Sequence, residues 1–405
     1  MHSAVPVTDS ITWIGANDRE TDLFEGLWPL PRGVSYNSYL VKAAKTAVID
    51  TVKRNSFDRY LDNIRRCVGC DGIVDYLVVN HMEPDHSGSI RLLLNIFPEM
   101  KIVGNAKTAA FLEQFYGIRD NVVTVAEGGE LDLGGRVLGF HMTPMVHWPE
   151  TMMTYDAAEG VLFSGDAFGG FGALEGGIFD DEVDIDYFEG EILRYFSNIV
   201  GKYCIPVQAA LKKLAGLGVK TICATHGPIW RKDPSWIIER YDRWSRHEGE
   251  EGVVVVYGSM YGNTERMMEA CAVGLADEEV SRVRIHDVSR MHVSYLIRDA
   301  WRFRGLILGS PTYDTGLYPP MDHFIRLLAH KRLMNRVLGL FGTFGWSGGG
   351  VSTLTEFAKG GRGAWDLVEP IVEARCAPSA EDLKRCEELG RNVVKRLRGE
   401  LEARS

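Results

Sequence analysis

Apolar residues along this chain gather in short continuous runs, each ending in a turn rich in glycine or polar side chains. Residues 73–79, 137–140, 160–164 and 219–224 are such runs in the first 250 positions. Each is short enough to be a strand, and each is followed by residues with nitrogen or oxygen ligand atoms. Residues 253–257, 306–310 and 337–342 are still more apolar and rich in Val, Ile and Leu. That character is expected of parallel strands buried on both faces. Between the runs lie stretches of helical period, among them 57–66, the positions Met267, Met268, Cys271 and Leu275, and the positions Leu383, Leu389, Val393 and Leu397. Ser379, with Asp382 three residues on, caps the last of these. Strand, turn and helix alternate throughout, which predicts a layered α/β protein.

The turn after the run 73–79 reads His81-Met82-Glu83-Pro84-Asp85-His86. Two imidazoles and two carboxylates in six residues cannot be buried unpaired without a large desolvation cost, and a shared cation satisfies them. Later turns add His147, Asp166 and His226. Seven such side chains exceed one tetrahedral ion and suit two ions bridged by a carboxylate. His141 stands on a strand without such neighbours and reads as structural. His2 and His247 fall in terminal and linker positions and read as solvated.

The pattern resembles that of the metallo-β-lactamase superfamily, with one substitution. Hydrolases of that superfamily usually carry His at the middle position of the first motif, where this chain has Glu83. A carboxylate there makes the site richer in hard oxygen donors and favours redox-active iron over zinc. With His147-Trp148-Pro149, Ser164-Gly165-Asp166-Ala167-Phe168 and His226-Gly227-Pro228-Ile229-Trp230, the sequence resembles the flavodiiron proteins. The resemblance implies that His81, Glu83, His147 and Asp166 hold one iron. Asp85, His86, Asp166 and His226 would hold the other, with Asp166 bridging.

The second half is an independent test. A charged segment at 246–252 reads as a linker, so the expected domains are 1–249, a metallo-β-lactamase-like αββα sandwich, and 252–405, a flavodoxin-like doubly wound parallel sheet. The run 253–257 leads into Ser259, Met260, Tyr261, Gly262, Asn263 and Thr264 at a helix N-terminus, which is an anion site. Without a Lys after its glycine it is not a nucleotide P-loop, and it lacks the spaced glycines of a dinucleotide fingerprint. It resembles the FMN phosphate loop of flavodoxins, with Tyr261 where Thr is usual. Two more turns follow strands: Pro311, Thr312, Tyr313 and Asp314, then Thr343, Phe344, Gly345, Trp346, Ser347, Gly348 and Gly349. Tyr313 and Trp346 are candidate walls for a flat tricyclic ring.

The resemblance implies an oxidoreductase with two iron ions and FMN that reduces O2 to water, NO to N2O, or both. It also implies a head-to-tail homodimer, singly or as a dimer of dimers, in which one subunit's flavin serves the other's irons. The segment 23–29 reads as a wall of the substrate pocket, a dimer contact or a simple surface turn. Two other readings are a binuclear zinc hydrolase with a fused domain and an FMN electron carrier with a vestigial metal fold.

Composition narrows the rest. A length of 405 and an apolar fraction of 45% suit a globular protein of two or three domains. A net charge of −10 argues against nonspecific nucleic-acid binding, and any docking patch for an acidic carrier must be locally basic. No apolar run spans a bilayer and no cationic-then-apolar leader opens the chain, so the expected location is the cytoplasm. Seven widely spaced cysteines do not form a disulfide framework. Cys67 and Cys70 form one CxxC, read here as reduced thiols at a helix end. A rubredoxin site needs a second such pair, so electrons are expected from a separate donor: rubredoxin, reduced F420, or a flavin- or NADH-linked reductase.

Overall fold

The computed structural model describes residues 4–360 and 365–401. His2 lies outside them. The chain divides into two compact units, Met1–Ser245 and Arg246–Ser405.

The first unit contains two large sheets. One has seven strands, in the order Val5–Pro6, Ile11–Trp13, Tyr39–Lys42, Thr46–Ile49, Tyr76–Val78, Lys101–Gly104 and Val122–Thr124. The other has five: Glu130–Asp132, Val137–Met142, Met152–Asp156, Val161–Gly165 and Thr221–Ala224. Side-chain and backbone contacts stitch the two together. Tyr39 and Phe163 place their rings 5.4 Å apart, and the Tyr39 hydroxyl donates to the Ala224 carbonyl at 2.6 Å. The Met152 amide donates to the Asn80 carbonyl at 3.0 Å, and the Thr154 hydroxyl to Asn80 Oδ1 at 2.7 Å. Register then brings the ligand turns together. Val161–Gly165 and Thr221–Ala224 run parallel with Gly165 opposite Ala224, so the next residues, Asp166 and Thr225, emerge side by side.

The second unit is a parallel sheet ordered Val283–Asp287, Glu250–Tyr257, Phe303–Tyr313, Arg336–Phe344 and Trp365–Leu367, with Val372–Arg375 also pairing with Arg336–Phe344. This is the 2-1-3-4-5 order of doubly wound flavodoxin-like sheets. The helices Asn263–Asp277 and Ala380–Leu397 pack on each other over an apolar core that includes Val253, Val255, Phe341 and Val393. They approach so closely that a Cβ on Gly274 would run into the Glu387 carbonyl oxygen. Ser379 caps the second of these helices reciprocally with Asp382, as expected.

The segment read as a linker is shorter than its composition suggests. Glu250 and Glu251 already belong to the first strand of the second unit. His247 is also not solvated. It is buried against Trp301, 5.5 Å between ring centres, and held there as its carbonyl accepts from the buried Arg336 guanidinium at 2.8 Å. Among the described residues, no helix is long and apolar enough to cross a membrane.

Candidate metal centre and flavin cleft

The metal-type residues converge. Pro84 opens a single helical turn, Pro84–Ser87, with Glu83 in extended conformation before it. Pro suits that first position because it has no N–H to leave unsatisfied. The turn is tied down by the Ser87 hydroxyl, which donates to the Met82 carbonyl at 2.7 Å, and by the Thr51 hydroxyl, which donates to the His86 carbonyl at 2.8 Å. Asp166 leaves its strand through Gly165, whose φ of +59° suits a residue without a side chain.

Two groups form around the two oxygens of Asp166. Oδ2 lies 3.0 Å from His147 Nε2 and 3.6 Å from His81 Nε2. Glu83 Oε2 is 3.0 Å from the same His147 atom and 3.4 Å from that of His81. Oδ1 of Asp166 lies 3.1 Å from His86 Nε2 and 3.5 Å from His226 Nε2. Asp85 reaches this second group, with Oδ2 3.3 Å from His226 Nε2 and Oδ1 3.6 Å from His86 Nε2. Ligand atoms of His81, Glu83, His86 and Asp166 lie within 4.8 Å of one another, as do those of Asp85, His86 and His226. His81, Asp166 and His226 are fully buried, and His86, Glu83 and His147 nearly so.

Hydrogen bonds orient the rings. His81 Nδ1 lies 2.8 Å from Glu150 Oε1, and His226 Nδ1 lies 2.8 Å from the Ser35 carbonyl. Both contacts leave Nε2 facing the centre, the arrangement that supporting groups impose on metal-binding imidazoles. The Thr225 hydroxyl donates to Asp166 Oδ1 at 2.5 Å.

The cluster fits cations. Both oxygens of Asp85, both ring nitrogens of His86 and Nε2 of His226 are buried without a hydrogen bond of acceptable geometry. Such atoms are costly unless something positive meets them. Protons take that part when no metal does. Burial alone would push His147 down, but the hydrogen bonds its ring donates to Asp166 and Glu83 override this and raise the imidazole to about 10. Burial would raise Asp166 and Glu83, and the surrounding histidines pull both well below the usual carboxylate range.

An aromatic wall closes the second group. Phe24, Tyr36 and Tyr195 place their rings 5.5, 5.6 and 5.7 Å from that of His226. Phe24 belongs to the hairpin Leu23–Phe24 and Trp28–Pro29, so the segment 23–29 does wall the centre, while Leu23 and Leu27 remain exposed. Burial and the neighbouring Glu83 raise Glu25, also in this hairpin, to about 7.

Glu150, Ser35 and Thr225 are the residues that sequence reading missed, while Glu25 lay in the segment 23–29 read as a candidate pocket wall. Of the three, only Glu150 carried a signal, as an acidic residue directly after the His147 turn. His141 lies apart, on the strand Val137–Met142 beside Glu127 and Tyr155. Cys67 and Cys70 are free thiols, the first raised by burial.

In the second unit a cleft of about 420 Å3 gathers all three candidate turns. Ser259, Met260, Tyr261, Asn263 and Thr264 line it, with Pro311, Thr312, Tyr313 and Asp314 and with Thr343, Phe344, Gly345, Trp346 and Ser347. Gly262, Gly348 and Gly349 shape the turns without lining it. Thr315 and Cys376 line it and were not anticipated. Ser259 Oγ accepts from the Gly262 amide at 3.0 Å, folding the first turn onto the helix N-terminus. The Thr264 and Thr343 hydroxyls meet at 2.9 Å and join two of the turns. Trp346 and Tyr261 expose most of their rings at the rim. A helix N-terminus and unstacked rings around one concavity fit a phosphate-bearing flat ligand.

Comparison with known proteins finds relatives for both units. Residues 34–227 match the family described as ODP family beta lactamase, and residues 255–390 match the flavodoxin family. The chain is 34% identical over 404 residues to a protein of Moorella thermoacetica named nitric oxide reductase, covering 98% of this chain and 100% of that one. Its structure is similar to rubredoxin oxygen:oxidoreductase from Desulfovibrio gigas, with 30% identity, a TM-score of 0.93 and coverage of 99% and 100%. It is likewise similar to the flavodiiron protein from Giardia intestinalis, with 26% identity, a TM-score of 0.93 and 98% of each chain covered.

Proposed function

This chain belongs to the flavodiiron protein family, and from that premise we propose that it reduces O2 to water, NO to N2O, or both, with two iron ions and FMN. It is an oxidoreductase of the flavodiiron type, with a flavodoxin domain for a flavin and a candidate diiron site. The observation that carries the reading is the split of Asp166, one carboxylate oxygen toward His81, Glu83 and His147 and the other toward His86, Asp85 and His226.

The functional domains are 1–249 for the irons and 252–405 for FMN. His81, Glu83, His147 and Asp166 hold one iron, and Asp85, His86, His226 and Asp166 hold the other. When bound, the irons supply a redox-active surface for a diatomic molecule, and the flavin stores electrons and releases them singly. Four electrons and four protons per O2 give two waters, and two of each per NO pair give N2O and one water.

The protein's own residues set the conditions for that chemistry. Glu150 and the Ser35 carbonyl hold the tautomers of His81 and His226, so the rings need no reorientation. Glu83 supplies a hard anionic donor where a hydrolase would have an imidazole, which favours iron. Phe24, Tyr36 and Tyr195 keep bulk water from the Asp85 side, where a small neutral molecule can enter and an ion is disfavoured. In the other unit, the turn 259–264 binds the FMN phosphate, and Tyr313 and Trp346 flank its ring.

Electrons arrive from a separate donor, either rubredoxin, reduced F420 or a flavin-linked reductase, and the cytoplasm is the site of action. The working form is a head-to-tail homodimer in which one subunit's flavin serves its partner's irons. The experiment is to load purified protein with iron and FMN and supply reduced rubredoxin or reduced F420, following loss of O2 and of NO separately. Turnover of at least one gas, with iron bound, is expected. Zinc at the centre with neither gas consumed would overturn the reading.

A further inference from the structure

A second cleft lies in the first unit and shares no lining residue with the metal centre. Its volume is about 490 Å3, inside the roughly 300–1,000 Å3 of small-molecule sites. One wall is a face of the helix Phe57–Val68, from which Arg59, Asp62, Asn63 and Arg66 line the cleft at helical spacing. Tyr60, Leu61 and Ile64, also on this helix, are buried in the core. Arg19, just after the strand Ala16–Asp18, also lines it.

The floor is rigid. Asn63 is buried, and its amide donates to the Ile14 and Gly15 carbonyls at 3.2 and 3.0 Å. A Cβ at Gly15 would run into the Tyr36 carbonyl oxygen, so bare backbone forms the bottom, with Trp13 buried beneath. The rim is cationic and incompletely satisfied. Arg19 Nη2 donates to the Leu174 carbonyl at 3.1 Å, and Arg59 Nη1 donates to the Asn17 carbonyl at 3.4 Å. Each guanidinium has five donors, so both retain several.

The side chains of Arg66 and Asp62 make no hydrogen bond or ion pair among the described residues. This is notable because Arg59, Asp62 and Arg66 stand at the i, i+3 and i+7 positions where helix ion pairs ordinarily form. The two helical arginines are separated by about 10 Å along the axis, a span their side chains can close on one phosphate or bridge across two. Three exposed guanidiniums around one concavity, on a chain of net charge −10, mark a local anion site.

We infer that this cleft binds a small phosphate ester of the nucleotide or sugar-phosphate class. Arg19, Arg59 and Arg66 receive the phosphate oxygens, and the unpaired Asp62 carboxylate accepts from a hydroxyl or amino group of the same ligand. The test is calorimetric titration of the iron- and FMN-loaded protein with ADP, with adenosine and inorganic pyrophosphate in parallel. Loading keeps the flavin's own phosphate subsite filled. ADP saturates one site per chain and adenosine does not bind. The double change Arg59→Ala and Arg66→Ala weakens ADP roughly tenfold or more while the melting temperature and flavin spectrum stay as in the parent protein. Asp62→Asn weakens ADP but not pyrophosphate, which has no ribose hydroxyl or amino group to offer. Absence of saturable ADP binding, or full binding by the double variant, overturns the inference. So does preferential binding of a polyglutamate peptide at these arginines, which would make the surface a contact for an acidic protein.

Discussion

His81 Nδ1 meets Glu150 Oε1 at 2.8 Å, and the same oxygen accepts from the Met82 amide at 2.9 Å. One carboxylate thereby fixes both the ring and the backbone at the start of the metal-binding turn. Glu150→Ala should therefore weaken iron binding by roughly 10–100-fold, the usual cost of removing a group that orients a ligand. Iron retained per chain after dialysis against graded chelator measures this, and full retention in the variant would show that His81 orients without help.

Asp166→Asn keeps the shape of the bridging residue and removes its charge. The variant is expected to hold at most one iron and to lose turnover of either gas, while the FMN absorption spectrum is unchanged. Metal analysis and gas consumption on one preparation check both halves. Two irons with normal turnover would refute the bridging role.

The iron-free protein should respond to pH through the same cluster. His147 is raised from 6.5 to about 10, because the hydrogen bonds it donates to Asp166 and Glu83 outweigh burial. A group raised on folding contributes stability that is complete below its unfolded value and lost as pH climbs through the folded one. Glu83 and Asp166 are lowered, so their contribution is present above 4.5 and 3.8 and lost as pH falls further. The melting temperature of iron-free protein should thus peak between these windows and decline from pH 6.5 toward 10. Iron replaces the protons and should flatten the alkaline decline. Melting curves of the two forms across pH decide it, and identical profiles would contradict the proton-filled cluster.

Trp346→Ala should loosen FMN with the iron content intact. An aromatic stacking contact contributes about 0.5–1.5 kcal/mol beyond area, or roughly two- to tenfold in affinity. Fluorescence titration of flavin-free protein with FMN reads this out. Unchanged affinity would remove Trp346 from the ring wall.

Gly274→Ala tests the packing that carries the flavin cleft. The added methyl meets the Glu387 carbonyl oxygen, a backbone atom that cannot swing aside. Overpacking of this kind costs about 1–3 kcal/mol, visible as a lower unfolding midpoint of the second unit. A midpoint equal to that of the parent protein would mean the helices separate freely.

Much of this protein is readable along the chain. Val253 to Val256 identify a doubly buried strand because all four side chains are apolar and β-branched. The turn from His81 to His86 declares metal chemistry because its charges stand too close in covalent order to escape one another. Glu83 at its centre favours iron by the hardness of its oxygen alone. The assignment of His247 to solvent failed because burial depends on Trp301, a neighbour 54 positions away in the chain that no local pattern reveals.

What the linear order determined by itself is the identity of the groups: which side chains are candidate ligands, which runs are strands, and which turns follow them. These follow from covalent neighbours and from a period of alternation. Tertiary structure alone decided the geometry among them. The register of Gly165 against Ala224 sets Thr225 on Asp166, Glu150 reaches back to His81, and Arg19, Arg59 and Arg66 come to line one cleft. Such relations depend on loops meeting from distant parts of the chain, where packing of whole sheets, rather than any single residue's preference, sets the distances.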